Sequence, residues 1–150
     1  MTDILRVSSE NDDFQKLVFQ LDSYLAKLNG DENDFYAAFN KTNLLQHVAV
    51  GYSENMPVAC GAIKKIDQDT IEIKRMYVLP EFRGKGVATA MLKALENWGK
   101  ELGYKRAVLE TSIKMPEAIN LYRKNKYYEI PRYGQYENAL CSICFEKNLW

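Results

Sequence analysis

Apolar residues recur at spacings of three and four through Phe14, Leu17, Val18, Leu21, Leu25 and Leu28, which predicts an amphipathic helix over 12–28 with Ser9 or Asn11 as its cap. Asn29-Gly30-Asp31 ends that pattern, and Glu32 to Asn43, carrying Phe35, Tyr36 and Phe39, predicts a shorter helix whose aromatics cover a pocket or complete a core. The period then changes. His47 to Tyr52, Pro57 to Ile66 and Thr70 to Val78 are strand-like runs separated by the polar turns Ser53-Glu54-Asn55 and Asp67-Gln68-Asp69, and such short connections predict an antiparallel meander. Val87, Met91, Leu95, Trp98 and Leu102 next form one helical stripe, broadened by Ala88, Leu92 and Ala94. Gly103 stops it, and Arg106 to Leu109 resumes an extended run. Strand, turn, helix of about 17 residues and strand is the spacing of a right-handed crossover between parallel strands. A last helix runs from Pro116, suited to a first turn, through Ala118, Leu121 and Tyr122 to about Asn125. Tyr127 to Ile130 and Leu140 to Glu146 predict two closing strands around the turn-rich 131–138. The order is that of a mixed α/β, or α+β, fold. No repeat, linker or low-complexity stretch divides it, so a single domain over 1–150 is expected.

Composition narrows the partners. Lysine plus arginine and aspartate plus glutamate number 20 each, so no bulk field draws the chain to nucleic acid or an anionic membrane, and neither is expected as a partner. No apolar run approaches the roughly 20 residues of a membrane helix. The polar stretch Met1 to Asp13 lacks a signal peptide's apolar segment, and a cytoplasmic protein is expected. The three cysteines, Cys60, Cys141 and Cys144, fit reduced thiols better than a disulfide framework. Cys141-x-x-Cys144 imitates a metal or redox pair, but residues three apart on a strand face opposite sides, so no metal site is expected. His47, the one histidine, opens a strand and reads as a surface or structural residue.

The candidate chemistry gathers at Val78-Leu79-Pro80-Glu81-Phe82-Arg83-Gly84-Lys85-Gly86-Val87-Ala88-Thr89, where a strand gives way to a glycine-bearing turn and then to a helix. The first amides of a helix have no intrahelical partner and its dipole is positive there, which suits a pyrophosphate. Gly84 and Gly86 can adopt backbone angles closed to other residues and let a ligand approach the main chain. A P-loop is excluded, because Lys85 is followed by Gly86 and preceded five residues earlier by Pro80. A dinucleotide fingerprint would need glycine where Thr89 stands. Two glycines alone also fit an ordinary strand-to-helix loop.

Arg83-x-x-Gly86-x-Ala88 after Val78-x-Pro80-Glu81 resembles the coenzyme A motif of the GNAT superfamily of N-acetyltransferases, Q/R-x-x-G-x-G/A. Ala118-Ile119-x-Leu121-Tyr122 is similar to the A-I-x-L-Y segment of that family's late helix. Leu109-Glu110-Thr111, Tyr128-x-Ile130-Pro131-x-Tyr133-Gly134-x-Tyr136 and Cys144-Phe145-Glu146-Lys147-x-Leu149 resemble one branch of small, mostly uncharacterised bacterial members. The resemblance implies a central, mostly antiparallel mixed sheet with one splayed parallel strand pair, flanked by helices. It implies acetyl-CoA as co-substrate, direct transfer of the acetyl group to a primary amine in a ternary complex, and no metal. It leaves room for a homodimer.

By that resemblance Arg83, Gly84, Lys85, Gly86, Val87, Ala88 and Thr89 bind the coenzyme pyrophosphate through backbone amides. Met76, Tyr77 and Val78 run alongside the pantetheine on a bulged strand, with the main chain near Tyr77 or Val78 pairing with its amides. Tyr122 matches the tyrosine that protonates the departing thiolate, a phenol near pKa 10 beside a thiol near 8.5. An amine near pKa 10.4 costs about 4 to 5 kcal/mol to neutralise at pH 7. A carboxylate base helps, and Glu110 is the candidate by position, with Glu72 and Glu81 as rivals. Tyr24, Tyr36, Tyr133 and Tyr136 are candidate walls of the acceptor site. Two departures stand out: Met115 replaces an asparagine that contacts coenzyme, and Lys126 replaces a helix-ending glycine, so a left-handed cap there moves to Asn125 or is absent. The alternative is a non-catalytic acyl-CoA-binding sensor of the same fold. The acceptor is not named by the sequence.

Overall fold

A computed structural model describes residues 2–33 and 45–150. Its elements are β1 (Asp3–Val7), α1 (Asp12–Asn29), β2 (His47–Ser53), β3 (Met56–Lys65), β4 (Thr70–Val78), α2 (Val87–Glu101), β5 (Arg106–Ser112), α3 (Pro116–Lys124), β6 (Tyr128–Ile130) and β7 (Ser142–Asn148). The strands are hydrogen-bonded in the order β1-β2-β3-β4-β5-β7-β6, with β4 and β5 parallel. The mixed sheet with helices agrees with the expectation. Of the helix predicted over Glu32 to Asn43, everything from residue 34 on lies outside the described residues, and Glu32 itself ends the 3-10 turn Gly30–Glu32. β1 was not anticipated: Ile4 and Leu5 are too short a signal, and pairing with β2 from Asp3↔Tyr52 to Val7↔Val48 supplies the order. Leu102, expected on the buried stripe of α2, is instead exposed in the turn after it.

The chain falls into two compact units. The first holds Met1–Lys64 and Lys74–Leu95. Asn11 caps α1, its Oδ1 accepting from the Phe14 amide at 3.0 Å, and Gly30 closes the other end at φ 54°. Phe14, Leu17, Val18 and Leu21 pack onto Val48, Val50, Cys60 and Ala62, alternate positions of β2 and β3 that share one face. On the other face Gly61 lets α2 lie close: a Cβ there would come within 2.7 Å of Leu95 and 3.2 Å of Met91. The β2–β3 hairpin turns on Glu54 and Asn55, both at positive φ (50° and 68°), as a two-residue hairpin with native twist requires.

The second unit holds Lys65–Ile73 and Glu96–Trp150. Its parallel ladder joins Thr70, Ile71 and Glu72 to Arg106, Ala107 and Val108. β5 and β7 pair along seven residues, from Arg106↔Asn148 to Ser112↔Ser142. Glu110, Thr111 and Ser112 therefore belong to β5, beyond the Leu109 limit read from the apolar run. Glu96 of α2 accepts from Lys147 at 2.9 Å and from the Tyr127 hydroxyl at 3.0 Å, so a buried carboxylate is met by a cation and a phenol.

Candidate active site

In the first unit, Arg83 leaves the short 3-10 turn Pro80–Phe82 in extended conformation (φ −75°, ψ 153°). Gly84 and Gly86 follow at φ 77° and 83°, angles that strain any residue with a Cβ. A Cβ built on either would have no atom within 4 Å, so the space over this turn is open to a ligand. The first bond into α2 is from the Ala90 amide to the Gly86 carbonyl, at 3.0 Å. Earlier amides, through Thr89, lie at the helix start, where no intrahelical partner exists. These are N–H donors at the positive end of a dipole, beside open space, an arrangement that suits an anion.

The Arg83 side chain turns back on its own unit. Its Nε donates to the Val78 carbonyl at 2.9 Å, and its guanidinium lies 5.5 Å from the Tyr77 ring centre and 5.9 Å from that of Tyr24. Arg83 thus holds the turn against the end of β4, and one lone pair of the Val78 carbonyl is engaged. Tyr77 and Val78 are buried, Tyr77 on the α1 face, whereas Met76 lies toward Gly61 on the α2 face. Just before them Arg75 sits at φ 59° in mid-strand, the backbone signature of a bulge. Its Nη2 meets Asp22 of α1 at 2.7 Å, its carbonyl accepts the Cys60 thiol at 3.3 Å, and its buried Nε and Nη1 have no hydrogen-bond partner among the described residues. Nothing in the sequence marks a bulge at an arginine.

In the second unit, ladder partners share a face, so Glu72, Val108, Glu110 and Cys144 line one side, and Leu109 and Phe145 the other. Tyr122 packs on the Leu109 side, its ring centre 6.2 Å from Phe145 and 5.8 Å from Tyr127. Burial first, and then the Glu110 charge, pushes its phenol well above the usual tyrosine range, so it stays protonated in neutral water. Its hydroxyl has no hydrogen-bond partner among the described residues, which leaves a proton donor uncommitted. Glu110 is half-buried and accepts from the Ser142 hydroxyl at 2.6 Å. Glu72, one of its rivals, is 2% exposed and takes the Tyr133 hydroxyl at 2.5 Å, whereas Glu81 is exposed on the 3-10 turn. Tyr133 and Tyr136 meet edge to face at 5.7 Å, and Tyr36 lies outside the described residues. The bond from Tyr133 to Glu72 is invisible in a sequence that separates them by 61 residues. Cys141 and Cys144 are not joined in a disulfide, and the described residues hold no metal-binding cluster.

The sequence profile of the Acetyltransferase (GNAT) family matches residues 9–127. The chain belongs to this acetyltransferase family. It is 31% identical over 155 aligned positions, 97% of both chains, to an IAA acetyltransferase of Azospirillum brasilense. A solved chain from Klebsiella pneumoniae, assigned as an acyl-CoA N-acyltransferase, superposes with a TM-score of 0.83 at 26% identity, covering 100% of this chain and 99% of that one. A GNAT acetyltransferase from Elizabethkingia anophelis with acetyl-CoA bound shares the fold at a TM-score of 0.72 and 18% identity, over 98% and 97% of the two chains.

Of the two departures from the GNAT pattern, the cap resolves against expectation. The left-handed residue is Lys126 itself, at φ 75°, while Asn125 stays at −92°. Asn125 is held there by its own side chain, whose Nδ2 donates to the Leu121 carbonyl at 2.8 Å. The Tyr127 amide reaches back to the Tyr122 carbonyl and the Lys126 amide to that of Arg123, closing a Schellman motif without glycine. Met115 is the cap residue of α3, with no side-chain bond to the helix, and its sulfur accepts from the Thr111 hydroxyl at 3.9 Å.

Proposed function

We propose that this GNAT protein transfers an acetyl group from acetyl-CoA to a primary amine of a small molecule or peptide, directly and within a ternary complex. The observation that carries the reading is the pairing of family membership with an open, doubly left-handed glycine turn at the start of α2. In the first unit, the amides of Arg83 to Thr89 take the pyrophosphate, and Met76, Tyr77 and Val78 flank the pantetheine. Acetyl-CoA supplies the activated acyl group.

In the second unit Tyr122 acts as the acid and Glu110 as the base. Moving a proton from a free phenol to a free thiolate is uphill by about 2 kcal/mol. Tyr122 therefore acts chiefly by donating a hydrogen bond as negative charge develops on sulfur, and its raised proton affinity keeps that donor in place at every working pH. Glu110 takes the proton that the nitrogen sheds as the C–N bond forms. The Ser142 hydroxyl orients its carboxylate for that transfer.

The test is thiol release from acetyl-CoA across a panel of amines. Tyr122→Phe should lower kcat by about a hundredfold or more while coenzyme affinity, measured by calorimetry, stays unchanged. Coenzyme binding without thiol release for any amine would replace this reading with that of a sensor.

A further inference from the structure

Turning an ammonium into an amide removes two protons from one nitrogen. Glu110 accounts for the proton lost as the new bond forms. The earlier one, which must leave before nitrogen has a lone pair, needs its own acceptor, and the second unit holds a group suited to it.

Glu72 is 2% exposed, so no substrate ammonium touches it directly. Its Oε2 accepts the Tyr133 hydroxyl at 2.5 Å, the length of a charge-assisted O–H···O⁻ bond. Tyr133 is half-buried, and Glu72 is the one hydrogen-bond partner of its hydroxyl among the described residues. A phenol oxygen both donates and accepts, so the lone pair opposite Glu72 remains for a donor. The Tyr136 ring, buried and 5.7 Å away at 87°, sets the plane of Tyr133. Glu72 shares its face of the sheet with Glu110 and Cys144. Arg132, next to Tyr133 in the chain, is engaged with the Ala139 carbonyl at 3.0 Å. Burial and the Glu72 charge raise the Tyr133 proton affinity far above that of a free phenol. A resting phenolate is therefore excluded, and Tyr133 can release its proton only as it gains another.

We propose that Tyr133 is a proton relay between the incoming acceptor and Glu72, in the acetyltransferase reaction proposed above. The acceptor ammonium gives one proton to the Tyr133 oxygen while the Tyr133 hydroxyl proton passes to the Glu72 carboxylate. The products are a neutral amine, an unchanged phenol and a carboxylic acid. Glu72 later returns its proton to solvent back through Tyr133, and the Glu110 proton offsets the one the departing thiolate takes up, so one proton is released per turnover.

The relay is tested with two acceptors that the unaltered chain acetylates, an alkylamine protonated at pH 7 and a weakly basic amine already neutral there. Tyr133→Phe and Glu72→Gln should each lower kcat/KM for the alkylamine by about a hundredfold. The double variant should lose no more than either alone, and each variant should lose far less with the weakly basic amine than with the alkylamine. Glu110→Gln, by contrast, should slow both amines. Equal losses for the two amines in Tyr133→Phe would show a merely structural bond, and no loss would show no role; either overturns the relay and leaves the transfer reading standing. Absence of thiol release by the unaltered chain with every amine overturns both.

Discussion

Lys126 holds a backbone angle of φ 75° that costs an L-residue with a side chain about 1 to 2 kcal/mol. The helix end needs that angle for the back-bonds from the Tyr127 and Lys126 amides, and Asn125 is committed to the Leu121 carbonyl. Lys126→Gly should therefore raise stability by about 1 kcal/mol, read as a higher urea midpoint at unchanged slope. From sequence the lysine argued for a displaced cap, because propensity was visible and the Asn125 bond was not. Arg75 teaches the same at the opposite pole: an arginine is the last residue composition would assign to a left-handed bulge. Its carbonyl partner Cys60 and side-chain partner Asp22 are brought to it by the fold.

At the scale of elements, the glycine turn and α2 were legible because their signals are local. Two glycines, an apolar stripe of helical period and a preceding apolar strand need no distant partner to be recognised. The consequence is tested with Gly86→Val, which should lower coenzyme affinity by at least about tenfold by calorimetry, since it places a side chain in the open space where the phosphate is proposed to approach. Valine at φ 83° also strains the backbone, so Gly103→Val, at φ 93° in the turn after α2, is the control. It should cost similar stability and leave coenzyme affinity unchanged. Equal affinity losses in the two would refute the cradle. β1 was missed for the converse reason. A five-residue edge strand with one face exposed has almost no periodic signal, and the β2 ladder defines it.

For the molecule as a whole, balanced charge hides several proton-holding groups. Burial pushes the Cys60 thiol up to about 12 and Cys144 to about 11, and the Asp13 carboxylate, by accepting the Tyr52 hydroxyl at 2.7 Å, holds that phenol near 12. Each folded value lies above the unfolded one, about 8.5 for a thiol and 10 for a phenol. The unfolded chain therefore releases these protons first, and the stability they carry is complete below about pH 8.5 and is lost as pH rises toward 12. Urea midpoints should be level from pH 7 to about 8.5 and fall steadily above it; Cys60→Ala should make the early part of that fall shallower. The crossover and the family were legible at this scale because the order of elements is written along the chain. The pairings that give Glu72 and Glu110 a common face are not, since they join β4 to β5 and β5 to β7 across dozens of residues.

The end of α3 has a further consequence, in conformational entropy. Tyr122 lies two residues before the helix stops, where chains ordinarily fray. Here the Tyr127 amide bonds the Tyr122 carbonyl, the two rings meet edge to face, and the Tyr127 hydroxyl is tied through Glu96 to Lys147. Fixing a buried ring in one rotamer costs about 1 kcal/mol. That cost is met when the second unit folds, so the phenol proposed to donate to sulfur is already ordered before any substrate arrives.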